Sequence, residues 1–176
     1  TYRLRNPPNG PALRPCSGRY AVEGNGCRCS FSGIGLCRFR VLIEIECLKA
    51  LSARAEIAEL APFSAQTLAQ LNALNENFGE ADALAIKTIE ATTNHDVKAV
   101  EYWLREKLSG NPETAKTLEF IHFACTSEDI NNISHSPMLT GARDASMLPT
   151  PKFMTPHLHK PDSHTANTAH LYRIPA

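Results

Sequence analysis

One long apolar stretch and several shorter amphipathic ones divide the chain. Leu36–Ser52 (LCRFRVLIEIECLKALS) is the most apolar segment. Val41-Leu42-Ile43 followed by Glu44-Ile45-Glu46-Cys47 partly alternates, as a strand does. Its length, with Arg40 and Glu44 four residues apart, favours a helix. Pro62 marks a short loop. Ser64 is placed as the N-cap of a helix through about Asn77, with Leu68, Leu71 and Phe78 among its apolar residues. Gly79 separates it from Glu80–Ala91, where Ala81, Leu84, Ala85 and Ile89 fall at helical spacing. The next helix opens at Thr93 or Asn94, and Thr93-x-x-Asp96 has the form of a capping box. Val97, Val100, Leu104 and Leu108 mark its buried face, which ends near Ser109-Gly110. Pro112 suits the first turn of a further helix, with Asn111 as its cap. Ile121–Cys125 is short and apolar, and another helix starts at Ser127 with Glu128 and Asp129 in its acidic first turn. No segment carries a hairpin signal, so the pattern predicts an all-α fold.

Proline sharpens the boundaries. Ten of the 12 prolines lie in the first 15 or last 40 residues, and residues 16–136 hold only Pro62 and Pro112. A packed domain tolerates few internal prolines, because each removes a backbone donor and fixes φ. Charge divides the chain in the same way. Residues 1–40 carry seven arginines and one acid, Glu23, whereas residues 41–130 carry seven bases and fifteen acids. The two sides cancel, because 18 Lys+Arg meet 18 Asp+Glu over 176 residues, which argues against a dedicated nucleic-acid binder. The 43% apolar content suffices for a core, and no run approaches the ~20 apolar residues of a membrane span. Thr1–Pro15 is polar and Pro-rich, unlike a secretory signal. The expected compartment is the cytoplasm, where Cys37, Cys47 and Cys125, in apolar helical stretches, act as small hydrophobes rather than disulfides.

Metal chemistry finds little support. Cys27-x-Cys29, with Cys16 or Cys37, lacks the spacing of structural zinc sites. His157-x-His159, His164 and His170 lie in a Pro/Thr/His-rich tail without apolar period. No phosphate-binding, zinc-protease or serine-hydrolase motif occurs. Two polar clusters stand out instead. Thr92-Thr93-Asn94-His95-Asp96 lies at a helix start, where free backbone N–H groups and the helix dipole favour anions. Taken alone, the cluster is better explained as an ordinary capped start, since capping boxes are common. Cys125-Thr126-Ser127-Glu128-Asp129-Ile130-Asn131-Asn132 is a second cluster at a second start, richer in polar groups than capping needs. Spacing alone does not establish that the two meet.

KTIEATTNHDVKAVEYWLREKL (Lys87–Leu108) and EFIHFACTSEDINNISH (Glu119–His135) closely resemble adenylosuccinate lyases, of the bacterial purine-biosynthesis type within the fumarase/aspartase superfamily. Ser17-Gly18-Arg19-Tyr20 resembles that family's N-terminal D-G-R-Y element, with Ser17 in place of Asp, and Leu36–Ser52 resembles the helix that follows it. The resemblance is strong from about Leu36 to Asp144. It implies a cofactor-free β-elimination of fumarate from adenylosuccinate, giving AMP, and from the succinylated imidazole-carboxamide ribotide. It implies a homotetramer whose sites combine three subunits. By the same resemblance Arg19 and Tyr20 contact the nucleotide, Arg19 chiefly its phosphate. Asn94, His95 and Asp96 line the substrate site, His95 near the phosphate and the reacting nitrogen. Thr126 and Ser127 bind the succinyl carboxylates.

The departures are as informative. The family's catalytic His lies in a T-H-G-Q-P motif and its catalytic Ser in an S-S-x-M-P-x-K-x-N loop. Neither occurs in this sequence, so no catalytic residue is assigned and this chain alone is expected to be inactive. Cys16, Glu23–Ser30 and the tail beyond about Leu148 fit the family poorly, and Ser136-Pro137 and Gly141 fall inside its long central helix. The expectation is an N-terminal fragment whose flanks are either frameshifted or diverged. It divides into an irregular basic segment (1–35), a helical domain (36–126), the start of a central bundle (127–148) and an irregular or disordered tail (149–176). The competing reading is a catalytically incomplete helical module that binds a nucleotide or associates with other subunits.

Overall fold

A computed structural model describes residues 31–149. They are helical, with no strand among the described residues, as the patterning predicts. The principal helices are α1 (Gly33–Ser52), α2 (Ala65–Glu76), α3 (Glu80–Thr93), α4 (Asp96–Leu108), the short α5 (Pro112–Ala115) and α6 (Ser127–Ala142). A 3₁₀ turn (Leu118–Phe120) precedes α6, and a π-helical turn (Arg143–Met147) follows it.

α1 is the central helix, touching α2, α3, α4 and α6. Ile34, Cys37, Val41, Ile45 and Leu48 form its buried stripe at spacings of three and four. Each such side chain, fully buried, contributes roughly 1.5–3 kcal/mol. Phe39, Arg40 and Glu44 are buried as well, which explains why the sequence shows no clean period: a helix covered on several sides has no polar face to define one. Trp103 of α4 lies in the same core and meets Phe78 edge to face, with ring centroids 5.6 Å apart. α1 begins at Gly33, earlier than Leu36, because Ser32 caps it by accepting the Gly35 N–H at 3.0 Å.

Most local signals act as expected. Ser64 caps α2 and Asn111 caps α5, with Pro112 in its first turn. Val97, Val100, Leu104 and Leu108 are all buried. α3 departs from expectation twice. It continues to Thr93 rather than Ala91, and its buried residues are Ala83 and Ile86, whereas Ala81, Leu84 and Ala85 are exposed. With alanines around the whole circumference, spacing alone does not pick the inward face. Helix α6 also runs unbroken through Pro137 and Gly141. Cys125 lies in the loop before α6 rather than in a helix, and it, Cys37 and Cys47 are free thiols. Cys16, Cys27, Cys29 and the tail histidines lie outside the described residues.

Candidate functional site

The Thr92–Asp96 cluster does not form the expected capping box. Asn94 takes a left-handed conformation (φ 52°) and closes α3, its N–H donating to Glu90 O at 2.8 Å. Asn tolerates that region better than most residues. Only His95 is then left extended, and it becomes the N-cap of α4. Its Nδ1 accepts the Lys98 N–H at 3.2 Å. A nitrogen that accepts carries no proton, so in the neutral ring the hydrogen sits on Nε2. Asp96 is not available for a box with Thr93. Its Oδ1 accepts the Val97 N–H at 2.9 Å and its Oδ2 binds Arg40.

α6 starts with a true capping box. Asp129 Oδ2 accepts the Thr126 N–H at 2.7 Å, and Thr126 Oγ1 accepts the Asp129 N–H at 3.3 Å. The Thr126 hydroxyl also lies 2.8 Å from Asp129 Oδ2, so the cap occupies it fully. Ser127, one residue on, directs its hydroxyl elsewhere.

The two clusters meet. Ser127 Oγ is 3.5 Å from His95 Nε2, joining helix starts 32 residues apart in sequence. Arg40 of α1 ties the same two helices from below. Its Nε donates to Asn131 Oδ1 at 2.9 Å, and its Nη2 donates to Asp96. Partial burial works against the Asp96 charge, but the Arg40 guanidinium and the Val97 N–H hold its carboxyl below the usual carboxylate range. Lys87, Glu90, Ala91, Asn94, His95 and Asp96 line an open groove of ≈ 590 Å³. Lys87 and Glu90 pair with each other at 2.6 Å, leaving the wall near neutral.

Glu44, one turn beyond Arg40, fixes the approach to α6. Its side chain is fully buried, and it accepts the His122 N–H at 3.1 Å while His122 Nδ1 lies 2.6 Å from its other oxygen. Burial pushes the Glu44 carboxyl up, against the pull of its contacts with His122. His122 itself sits at φ 62° and Ala124 at φ 57°, so the loop 121–126 is sharply folded. Burial likewise pushes the Cys47 thiol up to about 11, with Cys125 and Glu44 adding to the effect.

Of the residues singled out from the sequence, Asn94, His95 and Asp96 share the groove, and Ser127 reaches His95. Thr126 is adjacent but engaged in its cap. Arg19 and Tyr20 lie outside the described residues. Arg40 and Glu44 were read as a helix-stabilising pair, yet each has a partner on another element. Their signal was present: charged side chains inside the most apolar segment need buried partners. Among the described residues no group of His, Cys, Asp and Glu is arranged to hold a metal, and no helix is long and apolar enough to cross a membrane.

Comparison with known proteins gives this geometry a lineage. The chain is 54% identical over 138 residues to the adenylosuccinate lyase of Haemophilus influenzae, 55% to that of Vibrio cholerae and 52% to that of Escherichia coli K12. Each match covers 78% of this chain but only 30% of the relative, so the chain spans under a third of their length. Residues 18–167 match the protein family described as Lyase, a span reaching past Asp144 into the tail. On that match the chain belongs to the lyase family.

Proposed function

We propose that the chain carries the nucleotide-binding part of an adenylosuccinate lyase, acting in the β-elimination of fumarate from adenylosuccinate and from the succinylaminoimidazole carboxamide ribotide. The observation that carries this reading is the meeting of two helix starts at His95 and Ser127. The positive ends of two helix dipoles there suit a substrate bearing phosphate and carboxylates. His95 Nε2–H is the donor to an oxyanion, helped by the Ser127 hydroxyl, and Asn94 and Asp96 shape the groove wall. Thr126 acts chiefly by holding its helix start in place. Arg19 and Tyr20 complete the nucleotide contact by family resemblance, Arg19 chiefly at the phosphate.

In this reading residues 36–126 form the helical N-terminal domain, and residues from 127 begin a central bundle that only in the whole enzyme assembles into a cytoplasmic homotetramer. Ile133 and Leu139, exposed on either side of the buried stripe of α6, are apolar side chains that further helices of the bundle would cover. The acid and base of the elimination belong to the T-H-G-Q-P and S-S-x-M-P motifs, which are not in this sequence. A positioned acid and base each contribute typically 10²–10⁴-fold. The chain alone therefore releases no measurable fumarate. Two measurements test the proposal: calorimetric binding of adenylosuccinate, and turnover with and without a complementing C-terminal fragment of a relative. No binding of adenylosuccinate by the chain refutes the nucleotide-binding reading, and no turnover on complementation refutes its part in the elimination. Steady turnover by the pure chain refutes the assignment of the missing acid and base.

A further inference from the structure

We propose that Arg40 is a positioning residue of this site: it locks the N-termini of α4 and α6 at one spacing and cancels the charge of Asp96, so that an anionic group can enter between them. The inference rests on the nucleotide-binding reading above.

Arg40 does not reach a ligand itself. It is buried, at 6% exposure, on the central helix. Its reach across the fold is long: its two arms end on Asp96 and Asn131, 56 and 91 residues away in sequence. Both arms belong to one planar guanidinium, so the directions of the two bonds are fixed relative to each other. A lysine, with its single point charge, does not reproduce that geometry. Rotating either helix start breaks one arm, and His95 and Ser127 sit within one residue of Asp96 and four of Asn131 on those same starts.

Charge gives the second half. Asp96 is the first residue of α4, at the positive end of the helix dipole that would attract an anion, and it faces the groove. Lys87 and Glu90 neutralise one another, so they offer no surplus positive charge. Without Arg40 the Asp96 carboxylate would repel the incoming group from within its own site. The depressed Asp96 carboxyl is the counterpart of that pairing.

The test uses the 176-residue chain with Arg40→Met, Arg40→Lys and Asn131→Ala. Adenylosuccinate binding is measured by calorimetry in low and high salt, and the His95–Ser127 contact by proton NMR. Arg40→Met should weaken binding at least tenfold, and the deficit should shrink at high salt, where the repulsion is screened. Arg40→Lys should recover part of the loss. Asn131→Ala, which leaves the charge pair intact, should weaken binding severalfold with an unchanged salt response. An affinity within twofold of wild type in all three variants, with the His95–Ser127 contact kept, overturns the inference. A deficit in Arg40→Met equal at all salt concentrations overturns its electrostatic half. Should Arg40→Met fail to fold, Arg40→Lys and Asn131→Ala decide. Should the wild type bind no adenylosuccinate, the nucleotide reading fails and Arg40 is judged by NMR alone: loss of the contact in Arg40→Lys or Asn131→Ala supports it, persistence overturns it.

Discussion

Replacing Glu44 tests whether a buried carboxylate holds the loop before α6. Its two oxygens serve His122 twice, through the backbone N–H at 3.1 Å and Nδ1 at 2.6 Å, and its side chain has no exposed surface. Glu44→Gln keeps an acceptor of the same shape and loses the charge. Hydrogen bonds to charged groups are worth about 1.5–3 kcal/mol and neutral ones about 0.5–1.5, so the cost is at most about 1 kcal/mol, offset by the desolvation that the neutral side chain avoids. Glu44→Ala strands the His122 N–H and opens a cavity. Breaking a buried pair by removing one partner costs about 3–5 kcal/mol. Helical circular dichroism in a urea titration reads both. The pH dependence is a second, independent readout. Burial, with a smaller push from Glu101, holds the Glu44 carboxyl above its ordinary value of 4.5, against the opposing contacts of His122. A carboxyl whose pKa is higher folded than unfolded binds its proton more tightly in the native state. Its contribution to stability is therefore complete below the unfolded pKa, declines as pH rises above 4.5 by at most ~1.4 kcal/mol per unit, and is gone beyond the folded pKa. Glu44→Gln should lose that decline. If Glu44→Ala costs no more than Glu44→Gln, or if the pH slope is the same in wild type and Glu44→Gln, the carboxylate does not anchor the loop.

Three further outcomes are expected. His95→Ala should lower adenylosuccinate affinity at least tenfold and also cost about 0.5–2 kcal/mol of stability, because His95 is the N-cap of α4; His95→Asn should restore the stability but not the affinity. Pro137→Ala should raise the urea-unfolding free energy by about 1–3 kcal/mol, since proline in a helix interior removes a backbone donor, and no change would mean the ring packs well enough to offset it. Light scattering on the purified chain should show soluble aggregates or a loosely associated oligomer, given the exposed Ile133 and Leu139; a monodisperse tetramer would contradict this.

What the sequence revealed and what it hid have physical causes. Ser64 and Asn111 were legible as caps because a cap is satisfied within three residues of itself, and the start of α6 at Ser127 was legible from its acidic first turn. The buried face of α4 was legible because its apolar residues repeat against a polar remainder. His95 as a cap was not legible, since it depends on Asn94 turning left-handed one residue earlier. The inward face of α3 was hidden by alanines on every side. Both polar clusters were visible as strings, and the family resemblance pointed at the same residues. Their convergence was not visible, because it is set by Arg40, whose partners lie far along the chain.

The hinge at Asn94 has a kinetic consequence. Two residues, Asn94 and His95, join α3 to α4, so this hairpin closes almost no loop and can form early and locally. The bond between Arg40 and Asn131 instead spans 91 residues, and the length-dependent entropy of closing such a loop is about 4 kcal/mol. The α3–α4 hairpin thus closes at less entropic cost than the docking of α6 on α1. His95 is ready as soon as its hairpin exists, but Ser127 arrives only when α6 docks on α1. The chain holds a complete polar site in its fully closed state alone, and amide protection at the start of α6 should be lower than in the centre of α4.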